Sequence, residues 1–382
     1  MTTNSPDEDF IDTVIIGAGV VGIAIARELA LRGLDVLVLD REKSPGLHQS
    51  SRNSGVIHAG FYYGVNSLKA ELCHRGKIEL YRFAHERGIS HRKVGKVVVA
   101  GDERQTAKLE AMHAHAAACG IDDVVLVSSA DLRKLEPELA GCAGLWSPST
   151  GVIDAMALLS ALQAEAQDNG AILVLASRLL TAEASGAGFK LRVESRGTIA
   201  HLNCRLLVNS AGIEAPQVAQ RIDAYPASLV PETYLARGNF FACEGGTPFS
   251  HLIYPLPGPI GLGVHLTLDL DGQAKFGPDV ELIDHFSYEV KPERAEGFYN
   301  AVHAFWPGLK KGSLVPAYSG IRAKIGKPGD AQDWVVETSA AHGLAGLINL
   351  FGIETPGMTS CLALARHVAE RLHAEDRIPA RH

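Results

Sequence analysis

The stretch TVIIGAGVVGIAIARELALRGLDVLVLD, residues 13–40, decides the fold of the first part of the chain. It begins with a β-branched run that predicts a strand, continues with an amphipathic stretch that predicts a helix, and ends with a second apolar run. The intervening glycines have separate roles. Gly17 allows a tight turn, Gly19 lets backbone amides approach a pyrophosphate, and Gly22 lets the helix pack closely on the strand. The segment therefore predicts a dinucleotide site.

The ends of the predicted helix and second strand support the same prediction. The helix starts at Val20 and Val21, so its first amides and its positive dipole end face the phosphates. Asp40 closes the second strand, where an acid is placed to accept hydrogen bonds from an adenosine ribose.

Composition and charge narrow the class of protein. The 382 residues carry a net charge of −7 with no long basic cluster, which argues against a nucleic-acid partner. The six cysteines are scattered and form no C-x-x-C pair, so neither a zinc site nor a disulfide framework is indicated. His113 and His115 are two residues apart on a predicted helix and cannot share a face, so no metal site is predicted.

The sequence predicts a cytoplasmic location. The N-terminus MTTNSPDEDF is acidic where a secretory signal is basic. No window reaches the ~20 uncharged apolar residues of a membrane span. Peripheral contact with the inner membrane is left open.

The pattern of elements predicts an α/β protein with two domains. A Rossmann-like cofactor-binding domain is assembled from discontinuous segments, residues 1–88, 150–224 and 316–382. An α+β substrate domain, residues 89–149 and 225–315, is inserted between them. The second of these ranges is rich in Pro, Gly and aromatic residues and predicts a mainly antiparallel sheet.

A second stretch, SRNSGVIHAGFYYGVNSLKAELCHRG at residues 51–76, follows the nucleotide-binding motif. With it, the chain resembles the D-amino-acid oxidase superfamily of FAD-dependent oxidoreductases, and most closely the L-2-hydroxyglutarate dehydrogenase/oxidase family. The resemblance extends over nearly the whole chain through GKVVVA, STGVID, IYPLP, GLGVHLTLD, GIRAKI and NLFGIETPGMTS.

The resemblance implies that FAD is the cofactor and that residues from both ends of the chain bind it. The implied cofactor-binding residues are Gly17, Gly19, Val20, Val21, Gly22, Asp40, Arg41, Ser51, Arg52, Asn53, Ser54, His58, Leu179, Ala211, Gly212, Arg322, Gly352, Ile353, Glu354, Thr355, Pro356, Gly357, Met358 and Thr359. Short hydroxyl and amide side chains at positions 51, 53 and 54 suit a pyrophosphate because they donate hydrogen bonds.

The stretch GIETPGMT, residues 352–359, is implied to wrap the pyrimidine edge of the flavin. Thr355-Pro356-Gly357 predicts a helix start, with Thr355 as N-cap and Pro356 at the first helical position. A helix N-terminus stabilises the negative charge that a reduced flavin gathers near its C2 carbonyl.

The resemblance also implies the catalytic residues. Arg322 is placed where related enzymes bind a substrate carboxylate, which a guanidinium holds through two parallel hydrogen bonds. His265 and His58 are both candidates for the general base, since the ordinary histidine pKa lies near neutral pH. Tyr62, Tyr63 and Tyr254 are candidate pocket hydroxyls. Because related flavoproteins sometimes attach FAD through a histidine near this point, covalent attachment at His58 is left open.

The implied reaction is the oxidation of a small L-2-hydroxy acid by hydride transfer to flavin N5. The leading candidate is L-2-hydroxyglutarate, giving 2-oxoglutarate. An amine or amino-acid oxidase of the same superfamily is the alternative, and a non-catalytic flavin-binding protein is a further one. The electron acceptor, whether oxygen, quinone or a carrier protein, is not indicated by the sequence.

Overall fold

A computed structural model describes residues 10–258, 263–330 and 332–379. The acidic residues 1–9, part of the GLGVHLTLD match and the last three residues of the predicted cofactor domain lie outside these ranges. The chain forms two compact units. The first unit contains residues 1–51, 156–234 and 323–382, and the second contains residues 52–155 and 235–322.

The helices within the described ranges are α1 (Val20–Ala30), α2 (Leu68–Glu86), α3 (Thr106–Ala118), α4 (Ser129–Leu135), α5 (Ala155–Asp168), α6 (Ala215–Ala219), α7 (Ala295–His303), α8 (Ser339–His342) and α9 (Gly357–Ala374). The strands are β1 (Phe10–Ile16), β2 (Val36–Leu39), β3 (Val56–Ile57), β4 (His91–Arg92), β5 (Lys96–Ala100), β6 (Val125–Ser128), β7 (Ala143–Ser147), β8 (Gly151–Ile153), β9 (Ile172–Val174), β10 (Ser177–Ser185), β11 (Gly188–Ser195), β12 (Thr198–Asn209), β13 (Thr233–Cys243), β14 (Leu252–Pro255), β15 (His265–Leu268), β16 (Ala274–Gly277), β17 (Glu281–Ile283), β18 (Leu314–Ile325), β19 (Val335–Glu337) and β20 (Leu347–Phe351).

The first unit is built on a sheet with the order β10-β11-β12-β1-β2-β9, to which β20 and β19 add beside β12. Strands β12, β1, β2 and β9 run parallel, and β20 runs parallel to β12. β2 is apolar and buried along its whole length, as expected of a strand covered on both faces. The carboxyl ends of parallel strands meet at one edge of the sheet, which is where Gly17, Asp40, Ser210 and Gly352 follow their strands.

The second unit contains a nine-stranded sheet with the order β17-β13-β16-β15-β14-β5-β7-β6, in which β18 pairs with β13. Within the part of the chain that the structure describes, β17, β13, β16, β15 and β14 pair in antiparallel fashion where neighbours are in register, as do β5, β7 and β6, whereas β14 runs parallel to β5. A small sheet of β3, β8 and β4 belongs to the same unit. Aromatic side chains, including Phe241, Phe276 and Phe298, fill the core.

The fold class agrees with the α/β prediction, including a mainly antiparallel sheet from the middle of the chain. The limits of the units differ from the predicted domain limits. Residues 52–88 belong to the second unit, because β3 pairs with β8 and the Tyr81 hydroxyl donates to the Ser149 carbonyl at 2.9 Å. The assignment of a cofactor and a substrate domain stays a prediction.

Among the helices of the described residues, none combines the length and the apolar character that crossing a membrane requires.

Candidate functional site

The glycine turn of the first unit has the geometry that the sequence predicts. Gly17 has φ +108°, a conformation that favours glycine, and its N–H donates to the Leu39 carbonyl at 2.8 Å. A Cβ at Gly22 would lie 2.0 Å from the Gly17 carbonyl oxygen. The start of α1 therefore packs directly on the turn, and no side chain fits between them.

The start of α1 is held by two polar side chains from elsewhere in the chain. Asp40 Oδ2 accepts from the Ala18 N–H at 2.7 Å, and Asp40 Oδ1 accepts from the Glu42 N–H at 2.8 Å. Ser50 Oγ accepts from the Val20 N–H at 2.9 Å. The sequence prediction named Ser51 and missed Ser50. Both serines lie in one polar loop, and only the path of that loop shows which hydroxyl reaches the helix.

The residues predicted for the adenosine side also lie in the first unit. The Leu179 carbonyl accepts from Arg221 Nη1 at 3.0 Å. Ala211 N–H donates to Asn209 Oδ1 at 3.3 Å, and Gly212 follows with φ +60°. Arg41 forms ion pairs with Glu42, at 3.0 Å, and with Glu214.

The segment 352–359 turns into α9 by backbone contacts. Gly352 has φ +71°, its carbonyl accepts from Glu354 N–H at 2.9 Å, and the Glu354 carbonyl accepts from Gly357 N–H at 2.6 Å. Gln49 Nε2 donates to the Ile353 carbonyl at 3.4 Å, which ties this segment to the polar loop of the same unit. Met358 is half-buried and Thr359 is buried in the first turn of the helix.

The predicted capping of this helix is wrong. Helix α9 begins at Gly357, its N-cap is Pro356, and no side chain caps it. Thr355 is exposed and lies before the cap. The helix start is fixed by the backbone carbonyl of Glu354, so a threonine hydroxyl is not needed there.

The loop that opens the second unit is fixed by β18 and its neighbours. The Arg52 guanidinium lies 3.7 Å from the centre of the Tyr288 ring, and its Nη1 donates to the Ser319 carbonyl at 3.3 Å. Asn53 Oδ1 accepts from Gly55 N–H at 2.7 Å, and the Asn53 carbonyl accepts from the Tyr318 hydroxyl at 2.9 Å. Ser54 is half-buried between them.

His265 is held in one tautomer. Its Nδ1 lies 2.9 Å from the Gly263 carbonyl oxygen, which only accepts, so Nδ1 carries the proton and Nε2 keeps a lone pair in the neutral ring. The ring stacks on Tyr254 with centroids 3.8 Å apart. Both side chains are buried.

The two candidate bases belong to one electrostatic group, which we call the histidine cluster: His58, His265, Tyr254, Arg322 and Lys96. Burial lowers the pKa of His58 to about 3, helped by Lys96, His265 and Arg322. Burial also lowers the pKa of His265 to about 3, and Arg322 and Lys96 act in the same direction. Both rings are therefore neutral at pH 7 and able to accept a proton.

Arg322 lies near the end of β18, where burial alternates along the strand. Ile321 and Ala323 are buried, whereas Arg322 between them is partly exposed, as expected for a side chain on the opposite face. Its charge acts on His58, His265 and Tyr254.

Lys96 was not predicted. It is fully buried at the start of β5, and its Nζ lies 4.3, 4.5 and 4.8 Å from the ring centres of Phe61, Tyr62 and Tyr254. We call these three rings the aromatic cage. Burial lowers the pKa of Lys96 to about 7. A lysine that opens the buried strand KVVVA is the sequence signal that could have identified it, because lysine is almost never fully buried without a partner.

Of the predicted pocket tyrosines, Tyr62 and Tyr254 belong to the aromatic cage. Tyr63 has its carbonyl 2.7 Å from His115 Nε2 on α3. Burial raises the pKa of both cage tyrosines, Tyr62 and Tyr254, so their hydroxyls stay protonated. In the described ranges, no group of three or more His, Cys, Asp or Glu residues could hold a metal ion.

The glycine turn, the parallel βαβ arrangement and Asp40 at the end of the second strand are typical of a dinucleotide-binding protein. The family model of the DAO family, described as FAD dependent oxidoreductase, matches residues 12–371. The chain belongs to this family, and FAD is its cofactor.

Relatives and solved structures agree with this assignment. The chain is 40% identical to a mitochondrial L-2-hydroxyglutarate dehydrogenase of Arabidopsis thaliana, over 94% of this chain and 83% of that protein. It is 28% identical to L-2-hydroxyglutarate dehydrogenase of Salmonella houtenae, over 95% and 93%. The fold is similar to that of FAD-bound L-α-glycerophosphate oxidase from Mycoplasma pneumoniae, with a TM-score of 0.86 at 23% identity over 96% of this chain and 95% of the other.

The residues of the first unit fit the ADP half of FAD. A Cβ at Gly22 would collide with the Gly17 carbonyl, so the turn requires close packing of the backbone. A Cβ at Gly19 would lie 3.2 Å from Ser50 Oγ, so glycine keeps the start of α1 open to a phosphate. Asp40 has two oxygens with about four lone-pair sites, and its two backbone partners leave acceptor capacity for a ribose.

Proposed function

We propose that this protein oxidises an L-2-hydroxy acid with FAD as the oxidant, and that L-2-hydroxyglutarate is the substrate and 2-oxoglutarate the product. The names of the relatives support this choice of substrate. The observation that carries the reaction type is the neutral His265 ring, whose Nδ1 proton is fixed on the Gly263 carbonyl and whose Nε2 can accept a hydroxyl proton.

In this proposal Arg322 binds the carboxylate next to the reacting carbon. Its planar guanidinium holds both carboxylate oxygens and so orients the C2–H bond. His265 Nε2 then takes the proton of the C2 hydroxyl, with His58 as the other candidate. FAD, when bound, would supply the acceptor for the hydride that leaves C2. The Tyr254 ring stacked on His265 keeps the base in place.

The charges of the histidine cluster favour an anionic substrate. Both charged groups that act on the two histidines, Lys96 and Arg322, are cations. A substrate with two carboxylates lowers this positive potential and raises the pKa of the histidines, which makes either ring a better base.

FAD is proposed to bind the first unit through Gly17, Gly19, Gly22, Asp40 and the start of α1. Ser50 joins this set because its hydroxyl is fixed on Val20 N–H. The roles given to Arg41, Ser51, Arg52, Asn53, Ser54, Leu179, Ala211, Gly212 and residues 352–359 remain predictions, as does the cytoplasmic location. Covalent attachment of FAD at His58 is left open. The electron acceptor is not assigned.

Anaerobic bleaching of the bound flavin tests the function. Each of L-2-hydroxyglutarate, its D enantiomer, other 2-hydroxy acids and amino acids is added to the purified protein without oxygen, and the flavin spectrum is recorded. We expect fast bleaching by L-2-hydroxyglutarate alone. Bleaching by an amino acid instead would support the amine oxidase alternative, and bleaching by none would support a flavin-binding protein without turnover.

A further inference from the structure

Lys96 is an unusual residue for the middle of a hydrophobic core. Its side chain is fully buried, and among the described residues its Nζ has no hydrogen-bond partner. A buried ammonium normally has a carboxylate partner, because removing a charge from water is costly. Here the Nζ faces the three rings of the aromatic cage.

The aromatic cage stabilises a cation without neutralising it. Ring faces attract an ammonium through their quadrupole, and the attraction increases when water is absent. A carboxylate partner would cancel the field of Lys96, whereas rings leave that field acting on its surroundings. This explains why Lys96 influences both histidines.

The other titratable groups around Lys96 do not compete for its proton. Cys73 on α2 is buried with its Sγ 3.5 Å from the His58 carbonyl, and burial raises its pKa to about 12, so it is a neutral thiol. The Tyr62 and Tyr254 hydroxyls are protonated. Arg322 is a permanent cation. Among these groups, Lys96 is therefore the one that takes up a proton near neutral pH.

We propose that Lys96 is a positioning residue for proton abstraction: within the aromatic cage, whose Tyr254 ring also stacks on His265, it takes up a proton, and its charge adds to burial in keeping His58 and His265 unprotonated. The uptake converts a neutral amine and a solvent proton into an ammonium. A second proton on either histidine is then opposed by the ammonium and by Arg322. The base is therefore ready for substrate over the pH range in which an ordinary histidine would be charged.

This inference rests on the proposed function for its catalytic meaning, but its physical content can be measured without turnover. The holoenzyme is labelled with 13C at histidine Cε1 and lysine Cε and titrated by NMR. Signals are assigned with the variants His58→Gln, His265→Gln and Lys96→Met. We expect Lys96 to titrate near pH 7, with His58 and His265 neutral down to pH 5. Protonation of either histidine near pH 6.5 in the wild-type protein overturns the proposal, whatever the activity.

The catalytic consequence is tested by the pH profile of kcat/KM for L-2-hydroxyglutarate. In Lys96→Met the acid limb should move to higher pH by about one unit or more, because the histidines lose the cation that opposes their protonation. Lys96→Arg retains a charge and should keep the acid limb at the wild-type position. An unchanged acid limb in folded, flavin-loaded Lys96→Met overturns the proposal.

Lys77 offers a matched control. It is also a buried lysine of the second unit, but its Nζ donates to Ser149 Oγ at 2.9 Å. Lys77→Met should leave the acid limb where it is in the wild type, and an equal shift in this variant would assign the effect to general loss of packing. If no hydroxy acid bleaches the flavin but the NMR order of protonation holds, the proposed function fails and the assignment of Lys96 stands.

Discussion

The glycine turn of the first unit is formed by backbone contacts, whereas the histidine cluster of the second unit is formed by side chains. The turn uses backbone: Gly17 and Gly22 pack so closely that a Cβ at Gly22 would lie 2.0 Å from a carbonyl oxygen. The cluster uses side chains from separate segments, so that β5, β15 and β18 each contribute one charged or titratable residue. A backbone site is specified by local sequence, whereas a side-chain cluster is specified by tertiary packing. Four substitutions or titrations examine this contrast.

The largest effect is expected from Gly22→Val. The added side chain would collide with the Gly17 carbonyl, which cannot move without opening the turn. We expect a loss of about 1–3 kcal/mol in the free energy of unfolding and no retained FAD, measured by urea denaturation and by the ratio of flavin to protein absorbance. Gly186→Ala is the control, since a Cβ there meets nothing within 4 Å. Normal FAD content in Gly22→Val would show that the turn tolerates side chains.

The second effect concerns Arg322 in the histidine cluster. Arg322→Ala should raise the KM for L-2-hydroxyglutarate by about 100-fold, since losing a charged partner of a carboxylate costs about 2–5 kcal/mol, and should leave the flavin bound. The KM of Arg322→Lys should lie between those of the wild type and Arg322→Ala, because an ammonium retains the charge but not the two parallel hydrogen bonds. Loss of flavin, or an unchanged KM, would remove Arg322 from the substrate site.

The third effect is a pH dependence of stability. His58 and His265 have a pKa of about 3 in the folded chain, below the ordinary value of 6.5. The stability that they contribute is complete above pH 6.5 and is lost as the pH falls toward 3, because the unfolded chain then binds protons that the folded chain does not.

The measurement is the free energy of unfolding at several pH values between 6.5 and 4. His265→Gln should flatten the slope by up to about 1.4 kcal/mol per pH unit. The exposed His201, changed to Gln, should leave the slope as it is in the wild type. Parallel curves for wild type and His265→Gln would mean that the ring of His265 is not buried as a neutral group.

The smallest effect is expected from Thr355→Ala. Thr355 is exposed and does not cap α9. We expect a change within about 0.5 kcal/mol in the free energy of unfolding, as for ordinary surface positions. A loss near 1 kcal/mol would instead show that the threonine side chain caps the helix.

Features that depend on nearby residues could be predicted from the sequence. The tight turn at Gly17 and the close packing at Gly22 were predicted because each depends on neighbours within about thirty residues. The ribose contact of Asp40 stays a prediction. Thr355 was assigned wrongly because a hydroxyl before a proline also occurs where a backbone carbonyl, here that of Glu354, caps the helix. Ser50 and Lys96 were missed because their partners, Val20 and the aromatic cage, are brought to them only by folding.

The hydrogen bonds of Asp40 also affect how tightly a nucleotide binds. Both of its carboxylate oxygens accept hydrogen bonds from the protein's own backbone, from the N–H groups of Ala18 and Glu42. A side chain that is fixed in advance loses little conformational freedom when its ligand arrives, so ordering it subtracts little from the affinity. The nucleotide end of the site is thus preorganised. We expect the apoprotein, stripped of its flavin under mild conditions, to take up FAD again on simple mixing, without passing through an unfolded state.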